Sequence, residues 1–121
     1  MRRARAIKRR VPGQMSATEK RYFAALEVRR KAGDIDDFGF EPVRLKLAKN
    51  TFYTPDFQVI HNDGLIEFVE VKGSWKAPNQ DKSRVKLKVA AQVHQWAQFS
   101  AVTPIPKKNG GGWNRELIEP A

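Results

Sequence analysis

Two apolar runs on either side of Asn62-Asp63-Gly64 constrain the fold more than any other stretch of this chain. Phe52 to Ile60 and Leu65 to Lys72 are rich in Phe, Val and Ile and read as strands. Glycine suits the left-handed position of a three-residue hairpin loop, so Gly64 predicts a type I turn followed by a bulge. That loop pairs His61 with Leu65, and stepping outward along both strands brings Asp56 opposite Glu70. Directly opposed residues share a face, with their Cβ atoms about 5 Å apart. If Asp63-Gly64 were instead a two-residue turn, the register would slip by one and the two carboxylates would face opposite sides.

The remaining elements follow from caps and periodicity. Ser16-Ala17-Thr18-Glu19 has the spacing of a capping box and predicts a helix start. Its buried stripe is Tyr22, Phe23, Ala25 and Leu26, and Gly33 ends it. A link through Asp34 to Asp37 leads to Phe40–Ala48, where Val43, Leu45 and Leu47 alternate with Arg44 and Lys46 as in a strand. After the hairpin, the polar stretch Gly73 to Gln80 predicts a loop. Asp81 to Phe99 predicts a second helix with Val85, Val89, Val93 and Trp96 as its apolar stripe. Ala101 to Ile105 and Gly112 to Ile118 suit a fourth and a fifth strand. Short turns favour antiparallel neighbours and a helical crossover a parallel one, so the expected fold is α/β with a mixed sheet flanked by helices.

A length of 121 residues accommodates one domain, expected over residues 15–121 behind a basic arm at 1–14. Arg2, Arg3, Arg5, Lys8, Arg9 and Arg10 in that arm supply over half of the net charge of +10. Such an excess points to a polyanion, and nucleic acid is the expected partner, because neutralising phosphates releases condensed counterions. A membrane partner is not expected: mean hydropathy is −0.61, and no run approaches the ~18 apolar residues of a span. Val11-Pro12-Gly13 interrupts any signal-peptide pattern. The absence of cysteine removes disulfides and thiolate metal sites and fits a cytoplasmic location.

The chemistry gathers on the hairpin. Glu70 and Lys72 alternate onto one face of their strand, and the register brings Asp56 to the same side. Two facing carboxylates form a hard-oxygen site suited to Mg²⁺, with Mn²⁺ as a substitute. An ordinary cross-strand ion pair would use the same residue types. Pro55-Asp56, then Glu70-Val71-Lys72 with Gly73 behind, resembles the PD-(D/E)-x-K nuclease superfamily, and the order of elements over Ser16 to Thr103 resembles its αβββαβ core. Within it the chain is most similar to small phage-encoded endonucleases related to Holliday-junction resolvases.

That resemblance implies a magnesium-dependent DNA endonuclease, selective for branched or junction DNA and acting in the host cytoplasm. Asp56, Glu70 and the Val71 carbonyl would be metal ligands and Lys72 the catalytic lysine. Glu19 would reach the site from its helix, either through a water or to a second metal, although its place in the capping box is a competing role. Glu41 is a rival third acid. Gln92 on the second helix, where some relatives carry a site glutamine, also suits a surface position. Trp75, Lys76, Lys82, Arg84 and Lys88 join the arm as expected nucleic-acid contacts, and cutting both strands of a junction would call for a homodimer. His61 and His94 are expected to be surface residues. The alternative is a non-catalytic module that uses the nuclease fold only to hold nucleic acid.

Overall fold

The computed structural model describes residues 14–73 and 80–120. The first helix, α1 (Ala17–Lys31), begins at the expected capping box. The Ser16 Oγ accepts from the Glu19 amide at 3.1 Å, and the Glu19 Oε1 accepts from the Ser16 amide at 2.9 Å. Gly33 closes it with a φ of 84° that only glycine adopts without strain. The Gly33 amide donates to the Arg30 carbonyl and the Asp34 amide to the Arg29 carbonyl, which satisfies the last turn.

Seven strands follow among the described residues: β1 (Asp37–Phe40), β2 (Leu45–Ala48), β3 (Thr51–Tyr53), β4 (Phe57–Ile60), β5 (Ile66–Val71), β6 (Gln98–Pro104) and β7 (Trp113–Ile118). The second helix, α2 (Gln80–Val93), links β5 to β6. The main sheet has the order β1-β4-β5-β6-β7, with β5 and β6 parallel and the other pairs antiparallel. The expected mixed sheet between helices is therefore present.

Two expected strands are broken. The run Phe40–Ala48 divides at Glu41-Pro42, because Glu41 takes a left-handed φ of 44° and proline donates no ladder hydrogen bond. Only Phe40 of that run belongs to β1, which joins the main sheet, while Leu45–Ala48 forms β2 and pairs with β3 in a separate antiparallel ribbon. The run Phe52–Ile60 divides at Thr54-Pro55-Asp56, so Asp56 occupies a bend before β4 and not the interior of a strand.

The hairpin keeps the expected register. Phe57 pairs with Val69 and Ile60 with Ile66. The His61 amide donates to the Leu65 carbonyl at 2.9 Å, and Gly64 has a φ of 91°. Continued outward, this register sets Asp56 opposite Glu70.

Each face of the sheet carries its own core. Tyr22 and Leu26 of α1 cover Phe38, Phe40, Phe57, Val59, Val69, Val71 and Val102. Trp113, on the edge strand β7, packs against this cluster edge-to-face with Tyr22. On the opposite face, Leu87, Ala90 and Ala91 of α2 pack with Phe68, Phe99, Ala101, Ile118 and the ribbon's Leu45 and Tyr53. The expected apolar stripe of α2 is corrected: Val85, Val89, Val93 and Trp96 are exposed. The helix has two apolar sides, and the one bearing the small Ala90 and Ala91 can approach the sheet closely. The helix also stops at Val93, so Gln98 and Phe99 belong to β6.

Candidate functional site

Strand β5 alternates between the two cores. Val69 and Val71 point into the α1 side, while Phe68 belongs to the α2 side. Glu70, buried at 6% exposure, falls on the α2 side with Phe68. The two oxygens of Glu70 are held from different directions. The Tyr53 hydroxyl donates to Oε1 at 2.5 Å, and the Lys72 ammonium lies 3.1 Å from Oε2. Lys72 also donates to the Ser83 hydroxyl of α2 at 3.1 Å, so the helix that crosses over from β5 to β6 helps to aim the lysine.

Asp56 completes the group from the bend before β4. Its Oδ2 accepts from the Val71 amide at 2.8 Å, which ties the bend to the end of β5. Its Oδ1 has no hydrogen bond among the described residues. Burial, the nearby Glu70 charge and, more weakly, Glu19 push the Asp56 carboxyl up to about 8, against the opposing pull of the Val71 amide and Lys72. The buried Glu70 and the half-buried Asp56 thus act on each other through their charges, with Lys72 beside them. Tyr53 is pushed far above the ordinary phenol range, first by burial and then by the Glu70 charge, so it stays protonated and remains a donor.

The expected trio of Asp56, Glu70 and Lys72 is brought together. The Val71 amide is part of the same group, since it anchors Asp56. Glu19 caps α1, yet its charge also acts on Asp56. Glu41 stands at the end of β1, where its amide donates to the Asp56 carbonyl at 2.7 Å. Tyr53 and Ser83 were not readable as site residues from the chain alone. The only available signal was a tyrosine just before Pro55-Asp56, and no local pattern shows that the ribbon folds back over β5.

Lys82 and Lys88 are exposed on α2. Arg84 forms an ion pair with Glu116 of β7, so it does not project alone. Arg84, Lys88, Gln92 and Glu116 line a groove of about 440 Å³ between α2 and β7. Gln92 is exposed at this groove. The arm residues Arg2, Arg3, Arg5, Lys8, Arg9 and Arg10, together with Trp75 and Lys76, lie outside the described residues.

The histidines are corrected, because both are half-buried and engaged. The His94 Nε2 donates to the Lys46 carbonyl at 2.7 Å, and its Nδ1 accepts from the Trp96 indole at 3.2 Å. His61 lies 2.7 Å from Glu67, a buried acid on the other face of β5. The Ser100 hydroxyl and the Arg115 guanidinium also donate to Glu67. Burial alone would raise that carboxyl, but the bonds from Ser100, His61 and Arg115 outweigh it and hold Glu67 below its ordinary value.

The donor set at Asp56 and Glu70 fits a hard divalent cation. It offers two carboxyl groups on one side, one oxygen without a hydrogen bond among the described residues, and a proton on Asp56 that a cation can displace. Among the described residues no group of three or more His, Cys, Asp or Glu forms a metal cage. Two carboxylates alone would leave the remaining positions of such a cation to water. No helix among the described residues is long and apolar enough to cross a membrane.

The fold and the site define an α/β protein with a paired-carboxylate centre beside a half-buried lysine. The chain belongs to the family described as "Protein of unknown function (DUF1064)", whose model matches residues 3–98. Asp56, Glu70, Lys72, Tyr53, Ser83 and Glu19 all lie within the matched region. No curated protein and no solved structure matches the chain significantly.

Proposed function

We propose that this protein is a metal-dependent deoxyribonuclease that hydrolyses phosphodiester bonds with Mg²⁺ or Mn²⁺, acting on branched or junction DNA. The observation that carries the reading is Asp56, bonded to the Val71 amide and within reach of the Glu70 charge, with Lys72 paired to Glu70. An ordinary surface ion pair would not bury Glu70 beside a second, half-buried carboxyl that stays protonated near neutral pH. The succession α1, β1, β4, β5, α2, β6, with β5 and β6 parallel, supports an αβββαβ nuclease core into which the β2–β3 ribbon is inserted.

Asp56 and Glu70 would hold the cation. Bound there, a divalent ion supplies positive charge to a phosphate oxygen and makes a water more acidic. Lys72, already fixed by Glu70 and Ser83, carries a positive charge to the edge of the site. There it orients the attacking water and offsets negative charge that builds up on the phosphate. Glu19 stands on the α1 side as an accessory acid. Lys82 and Lys88, with the basic residues of the arm, bind flanking phosphates without reading sequence.

The test is incubation of the purified protein with labelled four-way-junction, duplex and single-stranded DNA in Mg²⁺, Mn²⁺ or EDTA. Cleavage is expected only with metal, and Asp56→Ala and Glu70→Ala should each lose at least about a hundredfold in rate. Retained folding of both variants is checked by circular dichroism. If the wild-type protein binds these DNAs but cuts none of them with any metal, a non-catalytic binding module replaces the nuclease reading.

A further inference from the structure

Tyr53 stands outside β5 and the bend that carry the carboxylates. It ends β3, in the ribbon that packs against α2, and only Thr54 and Pro55 separate it from Asp56. Pro55 is fully buried, which holds the connection rigidly. The ring of Tyr53 fills the α2-side core beside Leu45 and Phe68. Phenylalanine would serve that packing equally well. What the hydroxyl adds is a single buried hydrogen bond, 2.5 Å long, to Glu70 Oε1.

That bond has a geometric consequence. Lys72 holds the other oxygen of Glu70 at 3.1 Å. With Tyr53 present, the carboxylate is gripped at both ends and cannot swing toward the lysine. An ionised carboxylate has about four acceptor positions, so two donors leave it able to take a further ligand on the Asp56 side. Without the hydroxyl, Oε1 would lose its donor and Lys72 alone would set the orientation of the carboxylate.

We propose that Tyr53 is a positioning residue that holds Glu70 in its cation-binding orientation, so that the β2–β3 ribbon is a working part of the metal site. The inference rests on the metal-dependent reading above.

The experiment is a Mn²⁺ titration of the full chain, followed by electron paramagnetic resonance of the free ion, for wild type, Tyr53→Phe and Glu70→Ala. Thermal melts run in parallel, together with the Mg²⁺ dependence of cleavage. Tyr53→Phe keeps the buried ring and should fold normally. Its Mn²⁺ affinity is expected to fall about tenfold or more. The Mg²⁺ concentration for half-maximal cleavage should rise by a similar factor, while the rate at saturating Mg²⁺ changes less. A Tyr53→Phe protein that binds Mn²⁺ as wild type does, while Glu70→Ala does not, would overturn the role of Tyr53 and leave the metal site standing. If Glu70→Ala binds Mn²⁺ as tightly as wild type, the metal reading falls and the role of Tyr53 with it.

Discussion

Glu67 and Glu70 share one short strand, β5, and both are buried, yet their surroundings are opposite in character. On the α1 side, Glu67 accepts from Ser100 and Arg115, lies within hydrogen-bond distance of His61, and is held below its ordinary pKa. On the α2 side, Glu70 stands against a second carboxylate, and Asp56 is pushed up to about 8. Donors surround the single carboxylate on the first face, whereas the second sets two carboxyl groups beside one lysine. A buried acid whose partners are complete ties elements together, and here Glu67 joins the hairpin, β6 and β7. Two close carboxyl groups, one of them with a raised pKa, suit the cation proposed above.

Exchanging the two roles by mutation is the sharpest way to break this comparison, and it carries the largest expected effects. Glu70→Gln should reduce metal-dependent cleavage by at least about a hundredfold with little loss of melting temperature, because it removes a repelling charge. Glu67→Gln should leave the rate within a few-fold of wild type. It should instead lower stability by about 2 kcal/mol, or roughly 5–10 °C in melting temperature, as Arg115 and His61 lose their acceptor. Melts and cleavage rates on the same two preparations decide the matter. If both variants lose activity alike, the division between the faces does not hold.

Dependence of stability on pH should differ in sign between the faces. Folded Asp56 binds its proton more tightly than the unfolded chain does, so in EDTA its contribution falls as pH rises from about 4 to about 8. The Glu67 carboxyl is depressed in the folded state. Its contribution is present above the ordinary glutamate pKa and disappears as pH falls through the folded value. Urea midpoints across this range should therefore lose their decline toward pH 8 in Asp56→Asn and lose part of their acid sensitivity in Glu67→Gln. A decline of the same size in Asp56→Asn as in wild type would exclude Asp56 as its source.

The smallest effect is expected at Ser83, which touches Lys72 and not a carboxylate. Ser83→Ala should lower the cleavage rate by no more than about fivefold, in keeping with roughly 1 kcal/mol for one neutral acceptor. Lys72 would still be held by Glu70. A loss as large as that of Glu70→Gln would show that α2, and not Glu70, sets the position of the lysine.

Where a signal was local, it was legible in the chain. Gly64 at its loop position set the hairpin register, and through it the pairing of Asp56 with Glu70, because side-chain alternation turns a turn type into a choice of face. Ser16 and Glu19 marked the start of α1 by a hydrogen-bonding pattern confined to a single turn. The tertiary structure alone decided three further things. It broke two expected strands at Glu41-Pro42 and at Thr54-Pro55-Asp56 and put their parts into different sheets, since strand propensity does not say which partner a strand will find. It turned Leu87, Ala90 and Ala91 inward and the valine stripe of α2 outward, since a helix with two apolar sides is oriented by how closely it can approach the sheet. And it carried Tyr53 and Ser83 to Glu70 and Lys72, contacts between residues far apart in the chain whose geometry exists only once the ribbon and α2 have closed over β5.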